Sequence, residues 1–343
     1  RYIGFKCGKE DAKYVTVQHP MHGFSHLYNK ENPQLYSYLN NPITNDNEAL
    51  EKENSTENEL NEISIKQLIQ FFKEPIKWYY NKTLQIYYNT EDNQAAHTEV
   101  FELDNLQNWV VKNEVLSPET DLETFTHILK AKGMLPLANI GAAIIDKTQE
   151  DLKEIKNKIE EYRSLSAAVT VSKEIKIGPT NLTGISKQVY NNTLLFYNLS
   201  KETIKAKYLV EPWISHVFFT ATNKAMDTVV LAPNDELKFS KELLSQAHAI
   251  EILEKLMYYF KKGQKRPFLY TVKSLQKNEG KLDFIESILK DLKKEGTTSQ
   301  NKDYLNPYIA KEIETPYLKE FVQEQEEDLN TIKNCLLNEL WVQ

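Results

Sequence analysis

Residues 182–201, LTGISKQVYNNTLLFYNLSK, decide how this chain is read. Gly184 opens the stretch, apolar and polar residues alternate through it, and Asn191-Asn192-Thr193 interrupts the alternation. Successive side chains of a strand point to opposite faces, so this pattern reads as two short strands joined by an Asn-Asn-Thr turn.

Further short β-rich runs, bounded by turn residues, flank the hairpin: AAVTVSKEIKIG (167–178), HVFFTATN (216–223), DTVVLAPN (227–234) and PFLYTV (267–272). The last is expected to be a buried strand. Upstream the pattern is helical. Ser64 followed by Gln67 forms a capping-box start, and Ile65, Leu68, Phe72 and Ile76 share one face at helical spacing. Pro75 removes a backbone hydrogen bond and is expected to break the helix near Phe71–Phe72.

A second capped helix is expected from Asp104, with Leu106, Trp109, Val110 and Leu116 on its apolar side. A third runs from about Thr120 to Lys132 and stops at Gly133, and one long helix covers Leu137–Arg163. After the strands, Ser240–Lys262 reads as a helix closed by Gly263, with Leu243, Leu244, Ala247, Ile250, Leu256, Met257 and Phe260 inward. Lys281–Glu295 and Tyr317–Trp341 read as amphipathic helices. Helices, then a mixed sheet, then helices make an α/β or α+β domain around a central sheet.

The chain has 343 residues, of which 41% are hydrophobic, enough apolar material for a sizeable core. It begins at Arg1 rather than Met, which reads as a piece of a longer chain or a processed form. No stretch reaches the roughly 18 apolar residues of a membrane helix. Cys7 and Cys335 lie at opposite ends and form no CxxC pair, so reduced thiols and a cytoplasmic location are expected, without a cysteine-held metal. The net charge of −7 means that any grip on nucleic acid is local or supplied by partners. Residues 42–62, PITNDNEALEKENSTENELNE, are acidic and polar and read as a linker that marks a domain boundary.

ISIKQLIQFFKEPIKWYYNKTLQIYY (63–88) resembles the opening helix of RecB-type nuclease domains. LDNLQNWVVKNEVL (103–116) and ILKAKGMLPLANIGAAIID (128–146) narrow the resemblance to the RecC family, the gamma subunits of exodeoxyribonuclease V. The order continues through the hairpin, WISHVFFTA (213–221), residues 243–272 and residues 315–340. HPMHGFSHLY (19–28) is similar to the segment that leaves the family's helicase-like second domain.

The resemblance implies an α/β, restriction-endonuclease-like (PD-(D/E)XK-type) core sheet flanked by helices. Residues 1–41 would be the tail of a helicase-like domain, 42–62 the acidic linker and 63–343 a degenerate nuclease-like domain. It further implies a non-catalytic subunit of a RecBCD-type helicase–nuclease that acts in double-strand break repair and recombination. Its partners would be RecB-like and RecD-like subunits, double-stranded DNA ends and single-stranded DNA. This chain would hold no cofactor, with ATP and Mg²⁺ bound by the partner subunits.

Active members of the superfamily carry an acid after the glycine of the first strand and an acid–x–lysine triplet on the next strand. The acids hold Mg²⁺ through hard oxygen ligands and the lysine helps the attacking water. Aligned on Gly184, the first position is Lys187 and the triplet falls on Asn198-Leu199-Ser200. An ammonium repels the metal, so no catalytic or metal-binding residue is expected there. Glu174-Ile175-Lys176 has the triplet spacing but precedes the glycine strand and reads as a solvated edge. A working Mg²⁺ nuclease shifted to Glu174 and Lys176 is one alternative, and a pure docking module another.

His19, His22 and His26 lie beside Pro and Gly without a helix to fix them, and read as packing or surface residues. His97, His127, His216 and His248 are scattered singly. No P-loop glycine motif occurs. The most basic stretch, Lys255, Lys261, Lys262, Lys265 and Arg266, is interleaved with Tyr258, Tyr259 and Phe260. It reads as a candidate DNA contact or as cations meeting a helix C-terminus, the second reading being favoured. Trp78, Tyr79, Tyr80, Tyr87 and Tyr88 could stack on bases, but most are expected in the core.

Overall fold

The computed structural model describes residues 19–20, 61–88, 103–117, 121–136, 138–199, 204–276, 283–297 and 306–337. The chain divides into two units, 1–58 and 59–343, and every element below belongs to the second. Apart from His19 and Pro20, the tail at 1–41, with Cys7, His22 and His26, lies outside the described residues, as do most of the acidic linker, His97 and Ser200.

Strand β1 (Glu62–Ser64) runs directly into helix α1 (Ile65–Lys73), and the expected capping box forms: Gln67 N–H donates to Ser64 Oγ, and Ser64 N–H to Gln67 Oε1. The break falls at Glu74, two residues beyond Phe72. Pro75 is the first residue of α2 (Pro75–Trp78), where its missing N–H costs nothing. A π-helical turn follows at Tyr79–Thr83.

Four helices come next: α3 (Asn105–Leu116), α4 (Leu122–Ala131), α5 (Ala138–Asp151) and α6 (Lys153–Leu165). Asp104 and Gln107 cap α3 reciprocally, and Gly133 takes the left-handed φ of +66° after α4. The face of α3 differs from expectation: Val111, Val115 and Leu116 are buried while Trp109 is exposed. The expected single helix over 137–163 is two helices, parted at Leu152, whose buried side chain joins the core at the break.

β2 (Val169–Ile177), β3 (Thr180–Tyr190) and β4 (Thr193–Tyr197) form an antiparallel meander. Between β3 and β4, Asn191 and Asn192 both have positive φ, 44° and 62°, and so match the twist of the flanking strands. Helix α7 (Ala206–Ala221) then crosses the sheet, and β5 (Asp227–Ala232) pairs parallel to β4. β6 (Asp235–Phe239), which the sequence reading lacked, pairs antiparallel to β5. β1 lies parallel to the start of β3, which completes a mixed six-stranded sheet.

HVFFTATN is not a strand: residues 216–221 are the last turns of α7. The helix is buried on nearly every side, so the polar stripe that would reveal a helical period is missing.

The last elements are α8 (Gln246–Lys265), α9 (Val272–Gln276), α10 (Phe284–Gly296), α11 (Pro307–Ile313), α12 (Leu318–Glu324) and α13 (Glu326–Leu336). Helix α8 starts at Ser245 rather than Ser240, so Leu243 and Leu244 precede it and Ala247 is exposed. Gly263 does not end α8. It lies inside the helix, where Phe71 leaves no room for a side chain. PFLYTV is buried but forms no strand. Gln325, at the break between α12 and α13, accepts from Leu269 N–H (3.0 Å) and donates to Pro267 C=O (2.9 Å). One side chain thus does the work of a neighbouring strand, and the same break splits the helix expected over 317–341.

The sheet is covered on both faces. Leu194 and Val230 face Leu182, Val189, Trp213, Phe218 and Leu256 beside α1, α7 and α8. Their chain neighbours Leu195 and Val229 face Val111, Val115, Ile155 and Ile159 of the helices that precede the meander. Central strands buried on both sides read as continuous apolar runs, which explains LLF and TVVLA.

Candidate functional site

The hairpin carries the positions aligned with the nuclease acids, Lys187 and Asn198. Val169 pairs with Val189 but Val171 pairs with Ser186, so Thr170 alone faces both Lys187 and Gln188. Lys187 therefore sits in a β-bulge, and both bulge residues are exposed. Asn198 lies just past β4, with its backbone N–H donating to Leu231 C=O at 2.8 Å, and its side chain is buried. β3 and β4 pair only at Val189–Leu194 and Tyr190–Thr193, so Lys187 and Asn198 both fall outside the paired section.

Glu174 and Lys176 lie on β2 opposite Thr183 and Asn181, on the same side of the sheet as Ile185. All four positions other than the half-buried Thr183 and Asn181 — Glu174, Lys176, Ile185 and Ser172 — are exposed, and Asn181 Nδ2 donates to Glu174 Oε2 at 3.4 Å. Among the described residues no group of three or more His, Cys, Asp or Glu side chains is placed to hold a metal ion.

The basic stretch divides by geometry. Lys255 pairs with Glu251 one turn earlier (2.7 Å), Lys262 with Asp328 of α13 (2.6 Å) and Arg266 with Glu324 of α12 (3.1 Å). The Arg266 guanidinium also stacks on Phe321 at 3.5 Å, so it is committed to joining α8 to α12. These bonds raise the Lys255 and Lys262 ammonium pKa values, chiefly through hydrogen bonds to Glu251 and Asp328. Among the described residues no ion pair involves Lys261 or Lys265. Tyr259 and Phe260 are buried, whereas Tyr258 is 59% exposed.

The tyrosine-rich run is mixed. Trp78 is buried and donates to Gln264 Oε1 (3.2 Å), and Tyr79 OH donates to the Lys265 carbonyl (3.4 Å). Tyr80 donates to Glu312 (2.9 Å) and packs with Tyr88 and Tyr308, while Tyr87 is exposed. Burial raises the Glu312 carboxyl pKa, and burial together with that carboxylate raises Tyr80.

His216 is a core residue: its Nδ1 lies 3.0 Å from Thr228 Oγ1, and its ring stacks on Trp213. Burial pushes its pKa down to about 4, against a smaller opposing pull from Asp227. His127 and His248 are exposed. Cys335 is a buried free thiol with its pKa pushed up to about 11 by burial.

A small cleft missed by the sequence reading lies between α1, α2, α9 and α10, lined by Lys73, Lys77, Lys207 and Lys273. Three of these lysines are already matched, to Glu211 (2.7 Å), Glu74 (3.4 Å) and the buried Asp291 (3.2 Å). Glu74–Lys77 is a local i,i+3 pair, but Glu211 comes from α7 and Asp291 from α10, so the cleft as a whole has no local sequence signature. No helix among the described residues is long and apolar enough to cross a membrane.

The RecBCD enzyme subunit RecC of Buchnera aphidicola (Schizaphis graminum) is 24% identical over 82% of this chain and 26% of the relative. The subunit of the same name from Buchnera aphidicola (Acyrthosiphon pisum) is 25% identical over 77% of this chain and 24% of the relative. The chain thus spans about a quarter of the length of these curated relatives. A solved structure, titled crystal structure of SSO0001, aligns at 13% identity over 62% of this chain and 83% of its own, with a TM-score of 0.28, too low to bear on the fold. The family model described as RecC C-terminal domain matches residues 60–277, from β1 to the end of α9. That is more than half of the sequence, and the chain belongs to the RecC C-terminal domain family.

Proposed function

We propose that this chain is the C-terminal part of a non-catalytic, RecC-type subunit of a cytoplasmic RecBCD-type helicase–nuclease. It would act in double-strand break repair and recombination. The observation that carries this reading is the family match over 60–277, a range that holds α1, the meander, α7, β5 and α8. A capped helix, an antiparallel meander, a crossing helix and a strand parallel to the last meander strand also suit a restriction-endonuclease-like core. Residues 1–41 and 42–62 would be the tail of a helicase-like domain and its acidic linker.

In this reading the hairpin keeps its shape without its chemistry. Lys187 is exposed in a bulge and Asn198 is buried beside β5, and neither side chain supplies a negative charge for a cation. Splitting or guiding strands needs a rigid body in the path of DNA that another subunit pulls, with no metal or general base. The packed double-faced core suits that task. RecB-like and RecD-like partners would bring the ATP and Mg²⁺ chemistry and would share the DNA.

Reconstitution tests the proposal. The chain should associate with RecB-like and RecD-like subunits and should not cut DNA alone with Mg²⁺ or Mn²⁺. Metal-dependent cleavage by the purified chain that is lost in Glu174→Ala would establish the shifted nuclease instead. Normal assembly and normal DNA unwinding after every α8 cation is neutralised would favour a docking module.

A further inference from the structure

We infer that the solvent face of α8 holds single-stranded nucleic acid, without reading its sequence, through Tyr258 and the lysines Lys261 and Lys265. This rests on the proposed DNA role of the chain and names the surface that would carry it.

Tyr258, Lys261, Lys262 and Lys265 are spaced i, i+3, i+4 and i+7 on one helix, so they lie in a single stripe about 10 Å long. Tyr258 is 59% exposed, although Tyr259 and Phe260 beside it are buried. Its ring meets Tyr259 edge-on, and Lys262 Nζ lies 6.0 Å from the ring centre. A flat aromatic face open to solvent beside ammonium groups can stack a base while the lysines meet the neighbouring phosphates. Past the end of the helix the stripe reaches Tyr79, half-exposed and tied by its hydroxyl to Lys265 C=O, and then Lys82 above Trp78 at 5.9 Å.

Counter-charges border the stripe: Glu254 lies one turn before Tyr258 on the same face, Asp328 holds Lys262 and Glu324 holds Arg266. Among the described residues Lys261 and Lys265 have no ion pair. In a chain of net charge −7 the positive charge open to a ligand here is that of Lys261 and Lys265, the scale of a limited nucleic-acid footprint. The one arginine at this end, Arg266, is occupied by Glu324 and Phe321. No free guanidinium fork is left for bidentate base readout, so the stripe would hold backbone and ring faces and tolerate any sequence.

Fluorescence anisotropy of labelled oligo-dT with the full chain, over a range of salt, tests this. Tyr258→Ala should weaken binding about 5- to 150-fold, and Tyr258→Phe should restore it, because a stacking face is all that is needed. The double variant Lys261→Gln/Lys265→Gln should flatten the slope of log affinity against log salt by about 1.4. Thermal midpoints equal to that of the unaltered chain check that these exposed positions leave folding intact.

Absence of oligo-dT binding by the unaltered chain would overturn the inference, as would unchanged affinity in Tyr258→Ala or an unchanged salt slope in the double variant. Loss of partner association with oligo-dT binding intact would make the face a protein interface and also overturn it. The chain-alone measurement separates the two proposals: failure to join RecB-like subunits would sink the complex assignment, whereas oligo-dT binding reports only on the stripe.

Discussion

Gly184 of β3 lies against Phe218 of α7 so closely that a methyl group on the glycine would fall 2.8 Å from the ring's Cζ and overlap its near edge. Phe218 is fully buried and pressed edge-on against Phe219, so the ring cannot swing away. The glycine thus sets how near the crossing helix comes to the meander. Gly184→Ala should destabilise the domain by about 1–3 kcal/mol, the usual range for overpacking, measured by urea denaturation. A stability equal to that of the unaltered chain would mean that the α7–β3 contact is looser than described.

Gly263 gives a second test, in which two effects oppose. Inside a helix, Ala is favoured over Gly by about 1 kcal/mol. Here the added carbon would stand 2.6 Å from Phe71 Cε2 and overlap Cζ. Phe71 is boxed in by Phe72, Trp78, Phe260 and Phe268. Overpacking outweighs propensity, so Gly263→Ala should lower stability by up to about 2 kcal/mol despite raising helix propensity. A gain in the denaturation midpoint would show that α8 can move off Phe71.

These two glycines mark where sequence reasoning succeeded and failed. Gly184 reads as the opening of the hairpin although it lies inside β3, and Gly263 mimics a helix stop, because a missing side chain looks the same whether it ends an element or admits a ring. The capping box at Ser64, the helix cap at Asp104 and the Asn191-Asn192 turn were legible, since their chemistry is local. The last turns of α7, residues 216–221, read as a strand because total burial removes the polar stripe on which helical period depends. The bulge at Lys187 has no residue signature, as it exists only in the register between β2 and β3. The five cations were legible as a group, but their division into committed and open charges depends on Asp328 and Glu324, about 60 residues downstream.

His216 couples stability to pH. An unfolded histidine titrates near pH 6.5, and burial in α7 depresses the folded ring to about 4. Between those values the unfolded chain binds a proton that the folded chain refuses, so stability is whole above pH 6.5 and falls as the pH drops toward 4. The loss from this group is on the order of 3 kcal/mol. Denaturant midpoints recorded across that window should fall, and His216→Gln should flatten the decline relative to the unaltered chain. An unchanged slope in the variant would place the titration elsewhere.

Gln325 is a small test with a large expected effect. Its amide accepts from Leu269 N–H and donates to Pro267 C=O, and the residue is buried at the break between α12 and α13. Gln325→Leu keeps the apolar stem and strands both backbone groups away from water. Each such group costs about 1–3 kcal/mol, so the variant should lose about 2–5 kcal/mol. Gln325→Glu can still accept from Leu269 but, when ionised, cannot donate to Pro267, and should fall between the two. Chemical denaturation orders the three proteins, and hydrogen exchange at the Leu269 amide locates the cause: exchange should quicken in the Leu variant and stay slow in the Glu variant. Equal protection in both would mean that segment 267–271 is held by the Tyr270 hydroxyl, which donates to Phe72 C=O at 3.0 Å, rather than by Gln325.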